Sequence, residues 1–201
     1  MVSDETGRYL VRLSRRAVEQ YLSHGIRIVP DRDEDELNEL RGVFVTIRTY
    51  PDNELRGCIG YPRPYKPLAQ AVVDNAIAAA VEDPRFPPMK QDELDSVTFE
   101  VTVLTVPELI KVGDPSEYPK HVKIGKDGLI IEYGLASGLL LPQVPVEYNW
   151  TPKEFLENLC MKAGLPRNMW LSANVRIYKF QGEIFEEKEP NGEIVRKRLF
   201  I

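Results

Sequence analysis

Apolar residues recur at three- and four-residue spacing near the start of the chain. Leu10, Leu13, Ala17 and Tyr21 predict an amphipathic helix over residues 7–22, with Gly25 just beyond it. Residues 30–39 are acidic and polar and read as an exposed loop or weak helix. The period then changes to two. Val43, Val45, Ile47 and Thr49 share one parity and Phe44, Thr46 and Arg48 the other, which predicts a strand over 42–50. Pro51-Asp52-Asn53 signals a turn and residues 55–60 extend again, so 42–60 predicts a β-hairpin.

Three prolines between residues 61 and 67 exclude regular helix there. A helix over 68–82 follows, with Pro67 suited to its first turn. Its stripe of Val72, Ala76 and Ala79 or Ala80, with Val73, Ile77 and Val81 beside it, is rich in alanine, which implies close packing against another element. Asp83-Pro84-Arg85-Phe86-Pro87-Pro88 ends it sharply. Val97, Phe99, Val101 and Val103 alternate with Thr98, Glu100, Thr102 and Leu104, the strongest strand pattern in the chain, expected over 96–106. After a long connection over 107–119, residues 122–124 and 129–131 flank Gly125-Lys126-Asp127-Gly128, and the Asp-Gly pair predicts a tight hairpin. Residues 138–146 read as an edge or broken strand because of Pro142 and Pro145.

Thr151-Pro152-Lys153-Glu154 carries the parts of a capped helix start. The helix buries Phe155, Leu156, Leu159, Cys160 and Ala163 and is closed by Gly164. A strand over 175–186 and a terminal hairpin about Asn191-Gly192, with Ile194-Val195 returning, complete the series. Helices interspersed with hairpins predict an α+β fold with a mixed or antiparallel sheet.

The 201 residues suffice for a core without disulfides or a structural metal. A net charge of −5 argues against nucleic acid as a main partner; the clearest basic cluster, Arg196-Lys197-Arg198, is short. The two cysteines, Cys58 and Cys160, form neither a disulfide framework nor a metal-ligand spacing. With no apolar leader or membrane-length apolar run, a cytoplasmic, reducing setting is expected. No glycine fingerprint, phosphate loop or other cofactor motif is present.

One segment stands out chemically. In Leu55-Arg56-Gly57-Cys58-Ile59-Gly60, period two puts Leu55, Gly57 and Ile59 on one face and Arg56, Cys58 and Gly60 on the other. A guanidinium beside a thiol favours the reactive thiolate, and Gly57 and Gly60 permit close backbone approach by a ligand or a neighbouring strand. The plainer reading keeps Cys58 as a small buried hydrophobe and Arg56 at the sheet surface, paired with an acid. Cys160, in a helix stripe, is expected to be a packed thiol. Glu100 either faces solvent or is held by a cation. Asp83 and Arg85 lock a loop or line a cleft. Gln143, with Glu147, Asn149 and Trp150, lines a pocket or belongs to a lobe interface. Nothing in the spacing pairs His121 with Cys58 as a base, His24 reads as solvated, and no clustered metal ligands occur.

The hexapeptide Leu55–Gly60 is similar to the hallmark of the AMMECR domain family. The segments Asp83–Pro88, Glu100–Thr105, Gly138–Val144 and Phe155–Leu165 extend that resemblance over nearly the whole chain. A stand-alone chain of this size resembles the archaeal branch. The resemblance implies one AMMECR-like domain over 1–201, built from a larger and a smaller lobe with a cleft between them. It also implies functional importance for the hallmark. Relatives fused to or encoded near a dioxygenase-like protein of the Memo type and a radical S-adenosylmethionine protein imply a shared modification pathway. Two functions are expected from these observations. One is an enzyme or enzyme component that holds a small anionic substrate through Arg56, with Cys58 acting as nucleophile or forming a transient thiol adduct and Asp83, Arg85 and Glu100 setting the local charge. The other is a non-catalytic adaptor that binds one of those partner proteins.

Overall fold

The computed structural model describes residues 2–197. These form two compact units: residues 2–104 with 183–197, and residues 105–182. Arg198 of the basic cluster lies outside the described residues.

The first unit opens with α1 (Asp4–His24), capped by the Ser3 side chain accepting from the Thr6 amide and closed at Gly25, which has φ 69°. It begins earlier than the apolar period shows because its first turn is polar, with Asp4 and Glu5 placed where the helix dipole favours acids. A single turn, α2 (Asp35–Asn38), lies in the acidic segment and buries Leu37. The strands β1 (Val43–Thr49) and β2 (Leu55–Tyr61) form the expected antiparallel hairpin. Val43, Val45 and Ile47 are fully buried, as period two requires. The helix α3 (Leu68–Val81) is buried almost all round. A 3-10 turn over Gln91–Ser96 leads into β3 (Val97–Leu104), which pairs with β1.

In the second unit β4 (Glu108–Leu109) is a two-residue strand. A 3-10 turn over Pro115–His121 precedes β5 (Asp127–Tyr133), which pairs antiparallel with β6 (Ala136–Leu140). This corrects the hairpin expected across 125–128. Residues 122–124 form no strand, and the two-residue turn is Gly134-Leu135, with Gly134 at φ 58°. Asp127 is buried and accepts from the Lys123 amide at 2.9 Å and the Gln181 side chain at 3.0 Å, so it starts a strand rather than turning one. The run expected to stay extended to residue 146 turns helical at α4 (Val144–Glu147). The following helix, α5 (Pro152–Lys162), has the predicted reciprocal capping: Thr151 Oγ1 accepts from the Glu154 amide and the Glu154 carboxylate accepts from the Thr151 amide.

The long strand β7 (Arg176–Glu187) serves both units. Its first half pairs with β5 and its last residues pair with β8 (Ile194–Lys197) across the Asn191-Gly192 turn. Within the first unit the strand order is β2-β1-β3-β7, with β8 also on β7; within the second it is β7-β5-β6, with β4 also on β7. All the pairings described are antiparallel, so the fold is α+β. The first unit's core packs α1 and α3 against β1, β2 and β3; the second's packs α5 against β5. Among the described residues no helix is long and apolar enough to cross a membrane.

Candidate functional site

Among the described residues β2 ends the strand order and so has one unpaired edge. The loop after α3 covers it. The Cys58 amide donates to Asp83 Oδ2 at 2.9 Å, and Arg85 Nη2 donates to the Cys58 carbonyl at 3.2 Å. A carboxylate and a guanidinium thus do what a further strand would do for this residue. Asp83 also accepts from Arg85 Nε at 2.9 Å, Nη2 at 2.7 Å and the Arg85 amide at 3.1 Å. These bonds, Arg85 first, hold its carboxyl well below the usual carboxylate range although burial opposes them. The loop-locking reading of Asp83 and Arg85 therefore has direct geometry behind it.

The hallmark glycines are packing positions. A Cβ on Gly57 would lie 2.0 Å from the Ala79 carbonyl oxygen of α3. One on Gly60 would lie 2.4 Å from the Phe44 ring. The close approach inferred for these residues is made by the chain's own helix and by a ring of β1.

Arg56 holds an acid. Its Nε and Nη2 donate to Glu93 at 2.7 and 3.0 Å, and Nη2 also reaches the Pro87 carbonyl at 3.1 Å. Glu93 accepts from the Lys90 amide as well, and its carboxyl is lowered, chiefly by Arg56. The third guanidinium nitrogen of Arg56, Nη1, is buried and has no acceptor among the described residues.

Register defines the surroundings of the thiol. Thr46 of β1 pairs with Cys58 on one side and with Glu100 of β3 on the other. Its hydroxyl donates to Cys58 Sγ at 3.4 Å. Glu100 takes Lys197 at 3.3 Å, and Lys197 also binds Glu186 at 2.8 Å. Cys58, Thr46 and Glu100 therefore form one polar row across three strands, on the face opposite the buried valines. Arg48 lies two residues from Thr46 on that face; its Nε is buried and has no acceptor among the described residues. Burial pushes the Glu100 carboxyl up, against the charges of Lys197 and Arg48. Burial also pushes the Cys58 thiol up, opposed first by the Thr46 bond and then by the charge of Arg85. The cation that draws on the thiol is Arg85 rather than the Arg56 singled out by strand parity, and burial outweighs it. The resting group is a neutral thiol.

Gln143 belongs to the second unit, where its backbone carbonyl starts α4 by accepting from Val146 at 3.1 Å and Glu147 at 3.0 Å. Nearby Tyr148 and Trp150 stack at 5.0 Å. Cys160 is fully buried on α5, as its stripe indicated. His121 ends the 3-10 turn of the second unit. Among the described residues no three His, Cys, Asp or Glu side chains are placed to hold a metal ion. Thr46, Arg48, Glu93 and Lys197 were missed from the sequence. Thr46 and Arg48 do share the parity opposite the buried valines, the one local signal for them.

An α+β chain with this hallmark strand at a loop-covered edge is matched over residues 11–185 by the model of the AMMECR1 family. The chain belongs to that family. It is 55% identical over 195 residues to the protein MJ0810 of Methanocaldococcus jannaschii, covering 97% of this chain and 96% of that one. With PH0010 of Pyrococcus horikoshii it shares 54% identity over 202 residues, 98% of each chain. The crystal structure of PH0010 superposes with a TM-score of 0.89 at 53% identity, covering 98% of this chain and 99% of that one.

Proposed function

We propose that this protein is a cytoplasmic component of a modification pathway that binds a small anionic ligand on the sheet face around Cys58. The observation that carries the reading is an orphan donor on that face, Arg48 Nε, which is buried and has no acceptor among the described residues; Arg56 Nη1, on the same strand as Cys58, is a second. A buried N–H left unpaired costs about 1–3 kcal/mol, and an oxyanion, carboxylate or phosphate, is the acceptor that guanidinium geometry fits best. Arg56 is already oriented by Glu93 and offers Nη1 alone; Arg48 offers Nε. Cys58, held neutral and bonded to Thr46, contacts the ligand as a thiol. Nucleophilic use of Cys58 requires a base to take its proton, and Glu100, whose carboxyl is raised by burial, is the acid–base group in its row.

Alkylation of Cys58 by iodoacetamide tests this, with the buried Cys160 as an internal control. Phosphate, pyrophosphate, malonate and succinate are supplied at millimolar concentrations. At least one of them slows alkylation in the native protein, and Arg48→Gln abolishes the protection. If none of the four slows the reaction, the ligand reading is wrong.

A second reading, an adaptor for a Memo-type or radical S-adenosylmethionine protein, draws support from the second unit. Leu135 at the β5–β6 turn is fully exposed and Tyr148 is largely so.

A further inference from the structure

A separate cavity of about 310 Å³ lies beside α1 in the first unit. Its walls are Arg12, Arg15, Arg16 and Glu19 of α1, with Glu187 and the Asn191-Gly192 turn opposite. Two of the three guanidiniums are already matched. Arg15 Nε and Nη2 donate to the Glu187 carboxylate at 2.7 and 2.6 Å. Arg16 Nη1 and Nη2 donate to Asp31 at 2.9 and 2.7 Å. That leaves one cation and one anion. Arg12 and Glu19 have no hydrogen bond or ion pair among the described residues.

The two unmatched groups are seven residues apart, which puts them on the same face of the helix, two turns from one another. At 1.5 Å rise per residue their backbones are separated by about 10.5 Å, and among the described residues the two side chains form no ion pair with each other. From this geometry we infer that the cavity binds a small zwitterion, with its carboxylate on Arg12 and its ammonium on Glu19. A ligand with only a negative charge meets Glu19, and one with only a positive charge meets Arg12, so neither satisfies both ends. Taking the charged ends to stand as far apart as the backbones, subtracting two contacts of about 3 Å leaves about 4.5 Å between the ligand's charges. That span suits an ω-amino acid with two or three carbons between its groups better than an α-amino acid.

Titration calorimetry with a chain-length series decides the matter. The probes are glycine, β-alanine, 4-aminobutanoate and 6-aminohexanoate, with acetate, methylammonium, succinate and phosphate as ligands of one sign. Arg12 is exposed and Glu19 partly so, and neither bonds to the fold among the described residues, so glutamine at either position leaves folding intact. The expected result is binding that peaks at β-alanine or 4-aminobutanoate and no binding of one-signed ligands. Arg12→Gln and Glu19→Gln should each weaken it roughly tenfold or more, the loss of one charge-assisted bond. Absence of heat for the whole amino-acid series overturns the inference. So does tight phosphate or succinate binding that Glu19→Gln strengthens, because that describes an oxyanion site instead.

Discussion

Replacing Gly57 by alanine should separate β2 from α3. The new methyl carbon would start 2.0 Å from the Ala79 carbonyl oxygen, whereas ordinary contact begins at 3.4 Å, so the backbones must part by 3.4 − 2.0 = 1.4 Å. No rotamer change relieves a clash between a Cβ and a main-chain oxygen. Ala76, Ala79 and Ala80 are fully buried or nearly so on α3 and would lose close contact. A radial gap of about 0.5–1 Å already forfeits a quarter to a half of a dispersion well, and overpacking costs about 1–3 kcal/mol. With a backbone as the obstacle, the upper end applies: about 3 kcal/mol, or about 9 °C in Tm for a chain of this size. Urea denaturation and calorimetry measure it. The control is Gly113→Ala, whose Cβ would have its nearest neighbour at 3.8 Å; its stability should stay within about 0.5 kcal/mol of wild type. A Gly57→Ala protein that melts within about 2 °C of wild type would refute the packing role of the hallmark glycine.

Three more outcomes follow from the same geometry. Glu187→Gln leaves Arg15, whose side chain is 5% exposed, without its counter-ion, and should cost about 3–5 kcal/mol in urea denaturation. Asp83→Asn removes a carboxylate whose folded pKa is depressed. That group adds stability above its ordinary value of 3.8 and loses it as pH falls, so the variant should be less stable at neutral pH and show a flatter acid limb. Alkylation of Cys58 should run slower than that of a free thiol at pH 7–8 and reach its midpoint at higher pH, because burial raises the thiol; an equal or faster rate would point to a resting thiolate.

Local periodicity carried much of the fold. The apolar stripes of α1 and α5, the alternation in β1 and β3, and the Thr151–Glu154 cap are all properties of neighbours in the chain. The hairpin about residues 125–128 misled because Asp-Gly has two uses. Here Asp127 is a buried acceptor, and Gly128 leaves room for the Phe180 ring, 2.3 Å from where a Cβ would stand. The true turn at Gly134-Leu135 carries an exposed leucine and gives little polar signal. At the site, parity put Arg56 and Cys58 on one face, but the β1–β2 register shifts between Ile47 and Arg48 and leaves Arg56 unpaired across the strands, and parity could not supply the partners of either residue. Glu93 lies 37 residues from Arg56, and Asp83 lies 25 residues from Cys58. Strand register, fixed only by folding, brings Thr46 and Glu100 into line with the thiol.

The Arg48 side chain offers the most direct test of a waiting oxyanion acceptor site. With ¹⁵N-labelled arginine, the Nε–H resonance of Arg48, assigned by its loss in Arg48→Gln, is followed as malonate or phosphate is added. A saturable downfield shift of that proton, absent for chloride at equal ionic strength, is the predicted result. A resonance that stays in place through both titrations would contradict ligand binding at this face.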